Sequence, residues 1–290
     1  MSDTKNVRLG VCTVTYNGVD LGYTQGGVEV TVKTDTHQVN VDQFGKTPIN
    51  EYIMGRSVEV KVPLAETTID NLVQIMPGAT MSTVGGTVAQ GAITVGSDPV
   101  AGETVIVNGI TFTWQTTPVD STDVQIGSTA AACATNLANV LAASQDPALT
   151  VASYSANTSG VVTILYGPPS LYGSTGEPGT LGNSFTLSNG TSGAAVTVSG
   201  ATLSGGTDPT QKSVSVSTGI GTDLLSLAKP LRLHPVDKAD GDVSDDFVVP
   251  LAATSGALNF AYDLEKERIY DVTFTGYPNA ATGQLFTIGE

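Results

Sequence analysis

Between residues 28 and 76 the hydrophobic period changes once, and that change limits what the chain can fold into. Val28, Val30 and Val32 alternate with Glu29, Thr31 and Lys33, the period of a half-buried strand. Val58, Val60 and Val62 alternate with Glu59 and Lys61 in the same way. Ile69, Leu72, Val73 and Met76 then fall at i, i+3, i+4 and i+7, the stripe of an amphipathic helix. Thr67 is placed to cap that helix, with Asp70 answering as in a capping box. Pro77-Gly78 stops it. Between the two strands lies a long polar crossing, residues 35–55. Connections of that length are usually functional or disordered, and this one is expected to build an assembly.

The rest of the chain brackets this stretch. Residues 11–16, VCTVTY, alternate, and Asn17-Gly18 separates them from a second short run at 19–23. Asn-Gly between alternating runs signals a hairpin, because both central turn residues need positive φ. After Pro77-Gly78 the composition shifts. No Lys or Arg occurs between Lys61 and Lys212, and Gly, Ser, Thr, Ala and Val dominate. Within this segment a second Asn-Gly, Asn108-Gly109, joins strands expected at 104–107 and 111–114. An Ala-rich helix is expected within 127–144, capped by Ser128, with Cys133, Leu137, Val140 and Leu141 on one face and Pro147 ending it. Strands are expected at 93–95, 149–154, 161–166, 185–187 and 194–198, with a Gly/Pro-rich loop at 167–182. Beyond residue 208 the first composition returns, with strands expected around 213–217, 229–233, 258–262 and 269–274.

Residues 1–86 and 209–290 therefore read as one β-rich domain interrupted by an inserted domain, 87–208. Insertion is tolerated at exposed loop tips. Gly85-Gly86 and Gly205-Gly206 suggest flexible joints. Charge divides the same way. The insert carries −7, from seven acids and no Lys or Arg. Twelve cations against twenty anions leave the flanks at −8.

The net charge of −15 argues against a sequence-reading nucleic-acid binder, since phosphate contacts need Lys and Arg. Such a surface repels DNA. The first ten residues have no apolar h-region, so no signal peptide is expected. No apolar run is long enough to span a bilayer, and assembly in a cytoplasm is expected. Two distant cysteines, Cys12 and Cys133, make neither a disulfide framework nor a zinc set.

With these elements placed, a resemblance can be given. The run VNVDQFGKTPINEYIMGRSVEVKVPLAETTIDNLVQIMPGA resembles the core segment of tail tube proteins of long-tailed bacteriophages. The stretch LRLHPVDKADGDVSDDFVVPLAATSGALNFAYDLEKERIYDVTFTGYP is similar to the C-terminal half of that family. The insert more loosely resembles accessory domains of phage structural proteins. The resemblance implies a mainly β (α+β) fold: a β-sandwich or partial barrel with a flanking helix, interrupted by a small α+β insert. It implies hexameric rings that stack into a hollow tube around a tape-measure protein. Tail-terminator and tail-tip proteins would be further partners, and DNA would pass without sequence-specific binding. The virion tail is the implied location, with assembly in the bacterial host cytoplasm. No cofactor, no metal, no membrane and no catalytic set are implied.

Carried over by position, Val41, Asp42, Gln43, Phe44, Lys46, Pro48, Asn50, Glu51 and Arg56 belong to the inter-subunit and ring-stacking crossing. Pro48 suits an edge position because it donates no backbone hydrogen bond. Glu29, Asp35, Asp42, Glu51 and Glu59 are candidates to line an acidic lumen; each is more economically a solvated surface residue.

Other constellations are weaker. Asp237, Asp240, Asp242, Asp245 and Asp246 could offer oxygens to calcium, but their spacing is not that of an EF-hand, and a solvated loop is the simpler reading. His37 and His234 lack a third ligand. Both cysteines read as small core residues. The loop GSTGEPGTLG has no Lys for a phosphate site. Trp114 with Tyr154, Tyr166 and Tyr172 could form a sugar-binding face on a virion decoration or adhesion module that binds host glycans, although core packing explains them more cheaply. An enzyme acting through paired carboxylates finds no pair of acids in a recognisable context.

Overall fold

The period change at residue 69 and the two Asn-Gly turns fix the local geometry. The structure, a computed structural model, describes residues 10–239 and 242–289. The N-terminal segment 1–9 and Asp240, both read above, lie outside the described residues. The first strands are β1 (Cys12–Tyr16) and β2 (Val19–Asp20). They turn at Asn17 (φ 54) and Gly18 (φ 77), the left-handed pair that a tight hairpin demands. Two long strands follow, β3 (Glu29–Asn40) and β4 (Pro48–Leu64), then helix α1 (Ile69–Ile75) and β5 (Ala79–Val84).

Next come β6 (Gln90–Val95), β7 (Thr104–Val107), β8 (Ile110–Gln115), β9 (Asp123–Gln125), α2 (Ala130–Ala143) and α3 (Pro147–Thr150). The chain continues through β10 (Ala152–Ala156), β11 (Val161–Tyr166), α4 (Pro169–Tyr172), β12 (Leu187–Ser188) and β13 (Val196–Val198). It ends with β14 (Gln211–Val216), α5 (Leu224–Leu227), β15 (Lys229–Pro235), β16 (Phe247–Thr254), β17 (Tyr270–Gly276) and β18 (Thr287–Ile288). The protein is mainly β, 42% strand against 14% helix, so cross-strand pairing rather than helix packing sets its form.

The chain divides into two units, Met1–Thr80 with Ser215–Glu290, and Met81–Val214. The first is built on one sheet of order β2-β1-β15-β16-β17-β4-β3, with β18 added on β16. The sheet curls on itself. Tyr16 of β1 reaches Phe274 of β17, three strands away in the order, with ring centroids 4.9 Å apart. Its hydroxyl donates to the Ala252 carbonyl at 3.1 Å. Val14, Val58, Val60, Val62, Leu231, Val249 and Phe274 fill the interior, and Ile75 of α1 packs against them. The stripe of α1 is rotated from the expected one. Asn71 and Ile75 are its buried residues, while Leu72 and Met76 pack at the margin. The cap is Thr68 rather than Thr67, its side chain accepting from the Asn71 amide. The Thr67 hydroxyl instead accepts from Arg268 Nη2 at 2.7 Å.

The second unit has two four-stranded sheets, β10-β11-β6-β13 and β12-β7-β8-β9, all antiparallel except β8 with β9. Helix α2 packs Cys133, Ala134, Leu137, Ala138 and Leu141 into the core they enclose. Small Ala side chains keep that face close to the sheets. Thr129, not Ser128, caps α2 by accepting from the Ala132 amide. Leu149, expected in a strand, closes a short helical turn, because Asp146 caps it through the Ala148 amide and Pro147 presets its first φ. The expected strand at 258–262 is absent; only Asn259 bridges to Asp271.

The segments next to the two Gly pairs are hydrogen-bonded to each other. Strands β5 and β14 pair as a two-stranded ribbon. The division at 80/81 and 214/215 therefore falls six residues outside the expected joints at 86/87 and 208/209 on each side. Further along, Thr87 and Thr207 exchange backbone hydrogen bonds at 3.0 and 3.1 Å.

Candidate functional site

The crossing expected as a loop is β-structure. β3 and β4 pair antiparallel through every residue of β3, from Glu29↔Lys61 to Asn40↔Pro48. Only Glu59–Leu64 of β4 also pair with β17. Beyond that point, among the described residues, the two strands pair only with each other, and they leave the sheet as an arm. From Val32 to Asn40, at ~3.4 Å per residue, the free arm is roughly 27 Å long. A turn of 3-10 helix, Asp42–Phe44, closes its tip. Val41, Gln43 and Lys46 lie in the same tip, with Asn50, Glu51 and Arg56 along the returning strand. Pro48 opens β4, at a place where the strand has a neighbour on one side only.

Two faces follow from the pairing. One bears Val32↔Val58, Thr34↔Arg56, Thr36↔Ile53 and Gln38↔Glu51. The other bears Thr31↔Glu59, Lys33↔Ser57, Asp35↔Gly55 and His37↔Tyr52. Register slips at Met54 and Ile49, each an extra residue on β4. Large apolar side chains stand in solvent on both faces and at the tip: Phe44 65%, Ile49 52%, Tyr52 58%, Ile53 58% and Met54 70% exposed. A two-stranded ribbon is marginal alone in water, and exposed strand edges invite pairing. The arm therefore presents apolar surface and unpaired strand edges to solvent.

The proposed lumen acids do not form one wall. Glu29, Asp35 and Glu59 share a face, but Lys33 and Lys61 share it with them. Lys33 Nζ lies 3.7 Å from Glu59 and Lys61 Nζ lies 2.9 Å from Asp271. Lys61 is raised above its ordinary range, first by that hydrogen bond to Asp271. Glu51 points from the opposite face and accepts from Thr36 Oγ1 at 2.6 Å. Asp42 belongs to the tip. Charge near the sheet end of the arm is therefore largely balanced between strands. Alternation in sequence could not show this, because it depends on which residue sits opposite which.

Carboxylates of the acidic loop are engaged by neighbouring cations. In the acidic loop, Lys238 Nζ binds Asp242 and Asp245, each at 3.1 Å. Asp242 is held down at about 2, mainly by hydrogen bonds from Ser244 and Lys238. Asp246 is buried, accepting from Arg232 Nε and sitting 2.7 Å from His234 Nδ1. No group of three His, Cys, Asp or Glu side chains among the described residues could hold a metal. His37 is exposed on the arm, and His234 lies in β15 beside Asp246. Cys133 is fully buried, whereas Cys12 is only half-buried.

Trp114 is fully buried, which removes it from any sugar-binding face. Tyr154 donates to the Leu149 carbonyl at 2.8 Å, and Tyr172 accepts from Lys212 Nζ at 3.1 Å. Most acids of the insert are likewise used locally. Glu103 accepts from the Val100 amide, Asp123 from Val119 and Asp120, Asp146 from Ala148, and Asp208 from Thr180. Glu177 pairs with Lys212 at 2.7 Å. These carboxylates fix turns and one ion pair.

Among the described residues, no helix is long and apolar enough to cross a membrane. No protein-family model matches the chain, and no curated protein matches it.

Proposed function

We propose that this chain is a structural subunit that polymerises, and that the polymer is the tail tube of a long-tailed bacteriophage. The observation that carries the reading is the β3–β4 arm, which places Phe44, Ile49, Tyr52, Ile53 and Met54 in solvent on a ribbon that pairs with no third strand among the described residues. A protein that must stay monomeric blunts such an element with charge or covers it. One that assembles leaves it for its neighbours. The resemblance of the flanking segments to tail tube proteins points the same way. So does the net charge of −15, which suits a conduit that DNA must not adhere to.

In this reading each arm is completed by adjoining subunits, and strand pairing closes a ring. Rings, hexameric by the resemblance, stack on a tape-measure protein, meet terminator and tip proteins at their ends, and conduct DNA at ejection. Assembly takes place in the host cytoplasm and the product resides in the virion. The curled sheet of the first unit serves as the tube domain. The basic-poor second unit is an accessory domain carried by each subunit.

Deletion of 41–46 tests this. Sedimentation and electron microscopy are expected to show rings or tubes for the full chain. The variant is expected to give a folded monomer with an unchanged circular dichroism spectrum. Tubes from the deletion variant, or a full chain that stays monomeric at every concentration, would refute the reading.

A further inference from the structure

The curled sheet of the first unit does not close. Between its edge strand β3 and the ends of β1, β15 and β16 it leaves a cavity of about 550 Å³. Val11, Cys12, Val28, Val30, Leu233 and Phe247 give this groove an apolar lining. Val11 is 59% and Val30 38% exposed, so the apolar surface is open to solvent. Two exposed acids, Asp237 and Asp245, stand at its mouth. Asp245 is engaged with Lys238 at 3.1 Å. Asp237 makes no ion pair among the described residues.

The tip of the arm is the chemical complement of this groove. Phe44, 65% exposed, is its only aromatic side chain, and Lys46 stands two residues beyond it. The cation after Phe44, Lys46, is opposite in charge to Asp237 at the groove. Within one molecule the two cannot meet. Val30, in the groove wall, and Asn40, at the tip, belong to the same extended strand, ten residues apart, or roughly 33 Å at ~3.3 Å per residue.

We infer that Phe44 of one subunit seats in the groove of a second copy of this chain, with Lys46 against Asp237. This rests on the polymerisation reading and names the surface that receives the arm. Tip and groove are different surfaces, so the contact is heterologous and each subunit keeps a free tip and a free groove. That arrangement propagates into rings or filaments rather than stopping at a dimer. Burying the ring supplies the attraction, and the Lys–Asp pair fixes its orientation.

The native thiol of Cys12 lines the groove and gives a direct test, since Cys133 is fully buried and out of reach. Thr47→Cys keeps Phe44 and Lys46 and puts a second thiol in the exposed tip. Assembled particles treated with a short bismaleimide are expected to give a ladder of covalent dimers, trimers and higher species on denaturing gels. The ladder should vanish in the Thr47→Cys, Cys12→Ser double variant. Phe44→Ala should raise the concentration needed for assembly at least tenfold with the fold intact. Lys46→Glu and Asp237→Lys should each weaken assembly, and their combination should restore it. If particles form but neither the ladder nor the Phe44→Ala defect is seen, the docking is wrong and polymerisation stands. If the unmodified chain never assembles, both fall.

Discussion

Tyr16 shows how one side chain records the curling of a sheet. Its ring lies against Phe274 and its hydroxyl donates to Ala252, so it is enclosed by strands that are not its neighbours in the sheet order. Burial pushes its phenol up to about 12, from an ordinary value near 10. The unfolded chain therefore loses this proton first as pH rises. The contribution of Tyr16 to stability is complete below about pH 10 and is lost progressively toward pH 12. Alkaline denaturation should show this directly: Tyr16→Phe is expected to unfold with a shallower pH dependence between 10 and 12 than the parent. Equal slopes would mean that the phenol is not enclosed. Asp246 is a second residue whose role is set by its surroundings. It reads as one of five loop acids, yet it is 2% exposed and holds Arg232 and His234 together.

At the scale of the element, the arm and helix α1 contrast. Helix α1 is short, and its position depends on Thr68 and Asn71. The Thr68 hydroxyl accepts from the Asn71 amide at 3.1 Å, and Asn71 Nδ2 donates to the Leu21 and Glu66 carbonyls, both at 2.8 Å. Thr68→Ala should cost about 1 kcal/mol in a denaturant titration, the usual cost of a lost N-cap. A cost at Thr67→Ala with none at Thr68→Ala would instead restore Thr67 as the cap. The arm makes no such contribution to its own subunit. Its apolar side chains face solvent, while the core residues Val58, Val60 and Val62 sit at its root. The 41–46 deletion is therefore expected to separate folding from assembly, because the removed residues touch no core.

For the whole molecule, the question is whether the second unit is needed by the first. Each has its own buried cluster. The chain leaves the first unit at Thr80 and returns at Ser215, whose hydroxyls are 2.9 Å apart. Replacing 81–214 by Asn-Gly, a pair suited to a two-residue hairpin turn, should leave a first unit that unfolds in one cooperative transition and still forms tubes. Loss of folding in this variant would show that the insert completes the first unit. Loss of tubes with the fold intact would place the insert in the assembly.

Several features were determined by the sequence alone. Asn17-Gly18 and Asn108-Gly109 specified their turns, because few residues accept positive φ at adjacent positions. The Val-x-Val runs of β3 and β4 and the break in composition at the insert were legible for equally local reasons. The arm was not, since its residues alternate no hydrophobic pattern when both faces meet solvent, and only the pairing of β3 with β4 makes it a strand. A signal was present in the β-branched and aromatic residues Ile49, Tyr52 and Ile53, but it is equally compatible with a buried segment. Helix caps slipped by one residue, from Thr67 to Thr68 and from Ser128 to Thr129, because neighbouring hydroxyls are chemically interchangeable until the backbone selects one. The balance of the arm's acids by Lys33 and Lys61, the burial of Trp114, and the groove of Val11, Val30 and Phe247 depend on which strands lie side by side. Those relations join residues far apart in the chain, so only the tertiary structure decided them.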